Sequence, residues 1–195
     1  MKKVIVTGAN GFVGSALVKE LVKNDVEVLA MDMPGCNGNL PVCDKVKFLP
    51  LALDNISTLK DLINDRDFDC FYHFAWAGSA GAARADTKLQ LQNAQWTIDC
   101  LRAAKEVGCK KFVAAGSIME HETMAAAFAS GNKPGLGYIY GSGKLVAHTM
   151  AMSVAADIGI DLVWAEITNA YGVGELSPRM VNTTIRKVIK GEEPQ

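Results

Sequence analysis

Short apolar runs alternate along the chain with longer stretches whose apolar residues recur at helical spacing. Residues 3–6 form an apolar strand that ends at Thr7-Gly8, and residues 12–23 follow with Val13, Leu17, Leu21 and Val22 on one helical face. Strands are expected at 27–31, 45–49, 68–75, 111–115 and 161–166. Helices are expected at 56–64, which Asp54 or Ser57 is placed to cap, at 87–107 with Leu89, Leu91, Ala94, Ile98 and Leu101, and at 142–158. The segment 131–137, with Pro134, reads as a loop. Strands that alternate with helices imply an α/β fold: a doubly wound parallel sheet with right-handed crossovers and helices on both faces. No repeat and no low-complexity segment interrupts this rhythm.

Composition narrows the picture. A chain of 195 residues, 49% hydrophobic and 21% charged, is an ordinary globular mix with enough length for one core. Net charge is -1 with no basic stripe, so neither nucleic acid nor an anionic membrane surface is an expected partner. The five cysteines form no CxxC pair and no cluster with histidine, which argues against disulfides and a metal site; Cys70 and Cys109 read as reduced core thiols. Lys2-Lys3 before an apolar run resembles a signal peptide, but glycines break the run and no cleavage site follows. No apolar run approaches the ~20 residues of a membrane span, and a reducing cytoplasm is the expected compartment.

The first strand runs into Gly8-Ala9-Asn10-Gly11-Phe12-Val13-Gly14. Here Gly8 permits a tight turn, Gly11 a close approach of backbone to a pyrophosphate, and Gly14 close packing of helix on sheet; this is the Rossmann-like arrangement for a dinucleotide. The helix N-terminus adds free N–H groups and a positive dipole end. The second strand leads to Asp32, ~20 residues beyond the glycines, where a carboxylate binds ribose hydroxyls and repels a 2′-phosphate. NAD is therefore favoured over NADP. Asp32 as a solvated turn residue is the competing reading, and Lys45 and Lys47 keep NADP open. The strand end His73-Phe74-Ala75-Trp76-Ala77-Gly78 leaves small residues beside such a ligand, with His73 as a hydrogen-bonded core histidine. His121 and His148 show no partner spacing.

Acid/base chemistry is suggested by Tyr140-Gly141-Ser142-Gly143-Lys144. A phenol with an ordinary pKa near 10 is a poor base at neutral pH. A lysine one helical turn away lies on the same face, and its charge favours phenolate. Tyr138 has Ser142 at that spacing and lacks the cation. Ser117, at the end of 111–115, is placed to hydrogen-bond the substrate oxygen, or else is a turn or cap residue.

Taken in order, these motifs resemble the extended short-chain dehydrogenase/reductase family, in its NAD-dependent nucleotide-sugar epimerase/dehydratase branch. The likeness covers essentially the whole chain and rests on the glycine turn, Asp32, Phe74-Ala75-Trp76-Ala77, Asn93, Gly116-Ser117, Tyr140/Lys144 and Thr168-Asn169-Ala170-Tyr171-Gly172. It implies Tyr140 as acid/base, Lys144 as ribose ligand and tuner of the tyrosine, and Ser117 as the group that orients the substrate hydroxyl or carbonyl. It implies cofactor contacts at Gly8, Asn10, Gly11, Phe12, Val13, Gly14, Asp32, Met33, Leu53, Asp54, Phe74, Ala75, Trp76, Asn93, Tyr140 and Lys144, and a substrate contact at Asn169. Asp54 either contacts adenine or caps a helix. His121 stands where members often have tyrosine, and Glu166 lies near where they often have arginine.

The resemblance implies a dinucleotide domain over 1–165 and the start of a substrate lobe over 166–195, with most of that lobe missing. Relatives continue well past this point, so a truncated chain or proteolysed fragment is expected. Dehydratases carry an acidic pair directly after the serine; here Ser117-Ile118-Met119 favours an epimerase or reductase acting on a nucleotide-linked sugar. An NADP-dependent carbonyl reductase and a non-catalytic dinucleotide sensor are the alternatives. Relatives pair through the helices expected here at 87–107 and 142–158, so a homodimer with Trp96, Met150 and Met152 in contact is expected. The competing reading packs these three residues on the sheet.

Overall fold

The computed structural model describes residues 1–175 and 180–193. Of the expected lobe segment 166–195, residues 176–179 and 194–195 lie outside these. Six parallel strands form one sheet in the order β3-β2-β1-β4-β5-β6. They are β1 (Lys3–Thr7), β2 (Glu27–Asp32), β3 (Val46–Pro50), β4 (Cys70–His73), β5 (Lys111–Ser117) and β6 (Asp161–Ile167). The helices are α1 (Phe12–Lys23), α2 (Leu59–Leu62), α3 (Thr87–Glu106), α4 (Met119–Phe128), α5 (Ile139–Ile158) and α6 (Met180–Ile189). The order reverses between β1 and β4, and ligands of such sheets bind at that switch, outside the carboxyl ends of the strands.

Alternation in the central strands builds two cores. Ile5, Leu29 and Met31 join Phe71, Phe112, Leu101 and Ala151 on the α3/α5 face. Val4, Val6, Val28 and Ala30 meet Val18 and Leu21 of α1 on the other. Both faces are apolar, so the strands read as continuous hydrophobic runs. Asp86 caps α3 by accepting from the Leu89 N–H (3.0 Å), and Gly159 closes α5 in the left-handed region. Cys70, Cys100 and Cys109 are buried free thiols; burial pushes Cys70 up to about 11 and Cys109 to about 12.

The structure departs from the expected elements in several places. The helix expected at 56–64 is a 3₁₀ segment, Leu53–Thr58, followed by the single turn α2. The Thr58 hydroxyl donates to the Asn55 carbonyl (2.8 Å), which tightens the chain there. Neither Asp54 nor Ser57 caps α2, whose N-cap Thr58 makes no side-chain cap bond. The β4 strand is shorter than 68–75, while β5 and β6 run two and one residues further than expected, to Ser117 and Ile167. Helix α4 lies outside the expected elements: its apolar residues show little sidedness, and only its Ala-, Met- and Glu-rich composition signals a helix. Helix α5 begins at Ile139, so Tyr140 and Lys144 share its first turns. Met150 and Met152 are exposed on α5, whereas Trp96 turns toward the ligand crevice. Among the described residues no helix is long and apolar enough to cross a membrane.

Candidate active site

The carboxyl ends of the strands open into one crevice of about 860 Å³. Its floor at one end is the β1–α1 turn. Gly8 has φ +64°, and a Cβ there would stand 2.6 Å from the Ala75 nitrogen; a Cβ on Gly14 would stand 2.1 Å from the Gly8 carbonyl oxygen. Bare backbone is therefore required at both positions. Gly11, Phe12 and Val13 line the crevice beside them, and no side chain caps α1. The turn thus offers N–H groups to an anion at a helix N-terminus. Asp32, at the end of β2, accepts the Asn10 N–H (2.9 Å) on Oδ2 and the Met33 N–H (2.8 Å) on Oδ1. Each carboxylate oxygen keeps a lone pair for a further donor. Met33, Leu53 and Asp54 line the same end. Asp54 Oδ1 accepts from the Trp96 indole (3.0 Å), and that bond across 42 residues fixes both side chains at the crevice wall.

Two of the expected cofactor contacts do not line the crevice. Asn10 holds the β2–β3 loop instead: its Oδ1 accepts the Asn39 N–H (2.7 Å), and Asn39 Nδ2 donates to its carbonyl (2.8 Å). Asn93 is buried and pairs with both backbone groups of Ala77, each at 2.8 Å. It therefore holds the turn that follows Phe74, Ala75 and Trp76, which do line the crevice. Lys45 and Lys47 lie at the amino end of β3, away from the crevice, and Lys45 pairs with Asp25 (2.6 Å). They supply no cation beside Asp32.

At the other end Tyr140, Lys144, Ser117 and Asn169 come together around the crevice. The Tyr140 ring meets Trp76 edge-on at 6.1 Å, and the Arg84 guanidinium carbon stands 4.1 Å from its centroid. Lys144 is 4% exposed. Its Nζ donates to the Ala115 carbonyl (2.6 Å) and lies 3.6 Å from the centre of the Trp76 ring. Burial lowers the Lys144 pKa to about 7, against the charge of Glu120, which raises it. The glycines between tyrosine and lysine let helices close in: a Cβ on Gly141 would lie 2.5 Å from the Met119 carbonyl oxygen of α4. Such an assembly, a phenol and an ammonium group beside a serine, is equipped for proton transfer at one substrate oxygen.

The NAD dependent epimerase/dehydratase family matches over residues 4–195. The chain belongs to this family. It is 28% identical to UDP-glucuronic acid decarboxylase 1 of Arabidopsis thaliana, over 95% of this chain and 45% of that protein. It is also 28% identical to the UDP-glucose 4-epimerase of Lactobacillus helveticus, over 59% of this chain and 35% of that protein. The chain spans about half the length of the curated relatives it matches. Among solved structures it superposes on epimerase Mth375 of Methanothermobacter thermautotrophicus with a TM-score of 0.80 at 22% identity, covering 99% of this chain and 60% of that one. The UDP-glucuronic acid 4-epimerase of Bacillus cereus in complex with NAD gives 0.77 at 23%, covering 98% and 65%. At these identities the superpositions establish a shared fold.

Arg84, Glu122 and Trp96 are among the crevice residues that lie outside the expected site set. Arg84 had a signal, being the only basic residue in a run of small residues between β4 and α3. The histidines without partner spacing in the sequence find partners in the fold: His121 Nε2 is 2.8 Å from Glu166 Oε1, and His148 Nδ1 is 2.8 Å from Glu120 Oε2. Below the crevice His73 is the hydrogen-bonded core histidine expected. The Thr97 hydroxyl donates to the Asn93 carbonyl (2.9 Å), so it accepts from His73 Nε2 (3.2 Å), and His73 Nδ1 accepts from the Thr7 hydroxyl (2.9 Å). Burial, then the Lys144 charge, pulls His73 down to about 3 from 6.5. Between those values the unfolded chain binds the proton and the folded chain does not. Stability is therefore lost as pH falls from 6.5 toward 3, by up to ~1.4 kcal/mol per pH unit from this group. Urea midpoints measured from pH 7 to 4 should fall more steeply for the parent chain than for His73→Gln; parallel curves would remove His73 as the cause.

Proposed function

We propose that this chain binds NAD and carries out reversible hydride transfer on a nucleotide-linked sugar, with Tyr140 as acid/base. The observation that supports this reading is the convergence of Tyr140, Lys144 and Ser117 in the crevice that also contains Asp32 and the bare Gly8/Gly14 turn. The residues fit the cofactor: a helix N-terminus without a side-chain cap for the pyrophosphate, and an acceptor pair on Asp32 for ribose hydroxyls. Bound NAD supplies the hydride acceptor. Ser117 Oγ orients the sugar hydroxyl, and Tyr140 takes its proton as the carbon beneath is oxidised to a carbonyl. Lys144 and Arg84 place positive charge beside the phenol, which stabilises phenolate. In an epimerase the hydride returns to the opposite face of the sugar; in a reductase the flow runs one way. The relatives named for UDP-glucuronic acid and UDP-glucose support a UDP-linked sugar as substrate.

Titration of the purified chain with NAD and NADP tests the cofactor assignment, and Asp32→Ala tests its cause. The parent chain is expected to prefer NAD. Loss of the Asp32 carboxylate is expected to weaken NAD by about ten- to a hundredfold while NADP changes little, since one to two charged hydrogen bonds and one repulsion disappear. An unchanged ratio in Asp32→Ala would place the ribose elsewhere. Chromatography of UDP-glucuronic acid and UDP-glucose incubated with the protein and NAD then tests the sugar; no conversion of either removes the UDP-sugar assignment.

A further inference from the structure

We propose that Glu120 is a positioning residue of this site, a buried carboxylate that fixes the backbone of Ser117 and sets negative charge against Lys144. Glu120 is 2% exposed, on the first turn of α4. A carboxylate at that depth is tolerated only with a full set of donors, and donors arrive from three elements. Oε1 accepts the Ser117 backbone N–H (2.8 Å) at the end of β5 and the Trp164 indole N–H (3.0 Å) from β6. Oε2 meets His148 Nδ1 of α5 (2.8 Å), and the His148 ring stacks on Trp164 at 4.5 Å and 6°.

The strand end is clamped from both sides as a result. Lys144 holds the Ala115 carbonyl, and Glu120 holds the Ser117 N–H. Gly116 lies between them with no space left over: a Cβ there would be 2.4 Å from Trp164 Nε1 and 3.1 Å from Glu120 Oε1. The same turn aims the Ser117 hydroxyl, whose oxygen accepts from the Met119 N–H (3.2 Å). One rigid unit therefore carries the serine and the lysine, and Glu120 with His148 is its anchor.

The groups that surround Lys144 come from several elements, and among them burial and the Glu120 charge set its ionisation. Tyr140 stands a turn earlier on α5, the Trp76 face and the buried His73 come from the β4 side, and Arg84 lies over Tyr140. Glu120 is the negative charge among them, and it opposes the burial that would strip Lys144 of its proton. A merely structural Glu120 would leave the ionisation of Lys144 unmoved.

The inference rests on Ser117, Tyr140 and Lys144 as the reacting groups, yet its test needs neither substrate nor turnover. Glu120→Gln keeps the shape and removes the charge. Trace acetylation of the intact chain across pH, with the Lys144 peptide read by mass spectrometry, reports the titration midpoint of that amine. The midpoint is expected to fall in Glu120→Gln by about one pH unit or more, so that acetylation of Lys144 at pH 6 rises about fivefold or more. A midpoint unchanged in a folded Glu120→Gln overturns the proposal. If that variant does not fold, Glu120→Asp decides. The shorter carboxylate keeps its charge, so the Lys144 midpoint stays within about half a unit, while the Ser117 amide, losing its acceptor, exchanges hydrogen about tenfold faster or more. Parental exchange at Ser117 in Glu120→Asp also overturns it. Failure of the chain to bind NAD would sink the proposed function and leave both readouts standing.

Discussion

Replacement of Tyr140 by phenylalanine is expected to lower hydride transfer by roughly 10²- to 10⁴-fold, the usual contribution of a positioned acid/base, and to leave NAD affinity nearly unchanged. The two parts of that expectation follow from different atoms of one side chain. The ring is packed: it is 8% exposed, edge-on to Trp76 and beneath the Arg84 guanidinium. Phenylalanine keeps every one of those ring contacts, so the first turn of α5, the position of Lys144 and the cofactor end of the crevice stay as they are. Only the hydroxyl is lost, and with it the group that exchanges a proton with the sugar. The measurement is turnover with UDP-glucose or UDP-glucuronic acid, whichever the parent converts, alongside an NAD titration of both proteins. Turnover within tenfold of the parent would assign the proton transfer to another group, with Glu122 on the crevice wall as the next candidate. Equal loss of NAD binding and turnover would make Tyr140 a cofactor ligand first.

What was legible in the sequence is what is carried by short spacings. The glycine turn is a strand, a loop and a helix in immediate succession, and the end of β2 brings Asp32 to it because neighbouring parallel strands end at the same edge. Tyr140 and Lys144 are one turn apart, so their shared face needs only the helix. The opposite case is every contact made between elements distant in sequence. Glu120 and His148 are 28 residues apart on different helices, and Asp54 and Trp96 are 42 apart, with nothing local to connect them. Asn93 is expected at the cofactor only from the family resemblance; its actual partner, the Ala77 backbone, is set by how the turn after β4 folds back. Asn10 is similar: a polar residue within the glycine turn, but drawn away by Asn39. Helix α4 escaped because its apolar residues lack a clear face, since it packs against α5 through small contacts such as Gly141 and not through a hydrophobic stripe.

Gly8→Val is expected to have the largest effect of any single change on the cofactor end: loss of detectable NAD binding and a stability loss of about 3–5 kcal/mol, at the upper end for one substitution. Two penalties combine. A β-branched residue at φ +64° adopts a backbone region unfavourable for it by roughly 1–2 kcal/mol. The added Cβ would also stand 2.6 Å from the Ala75 nitrogen and 2.8 Å from the Phe74 carbonyl carbon, which are backbone atoms and cannot swing aside as a flexible side chain would. Strand β1 cannot yield, because Val4, Ile5 and Val6 are fully buried and paired to both β2 and β4. The overlap is then relieved by peeling the β4 end from Thr7, breaking the bond from the Phe74 N–H to the Thr7 carbonyl (3.1 Å). That motion carries Trp76 with it, and Trp76 is the surface against which both Lys144 and Tyr140 rest. One isopropyl group at the glycine-turn end is therefore expected to disturb the reacting groups at the other. Gly35→Val is the control: it has φ +80° but nothing within 4 Å of its Cβ, so it carries the backbone penalty alone. Urea unfolding and NAD titration of the two variants separate strain from overlap. A Gly8→Val protein no less stable than Gly35→Val, or one that binds NAD as the parent does, would mean that the approach of β1 to the β4 end is not what shapes the cofactor site.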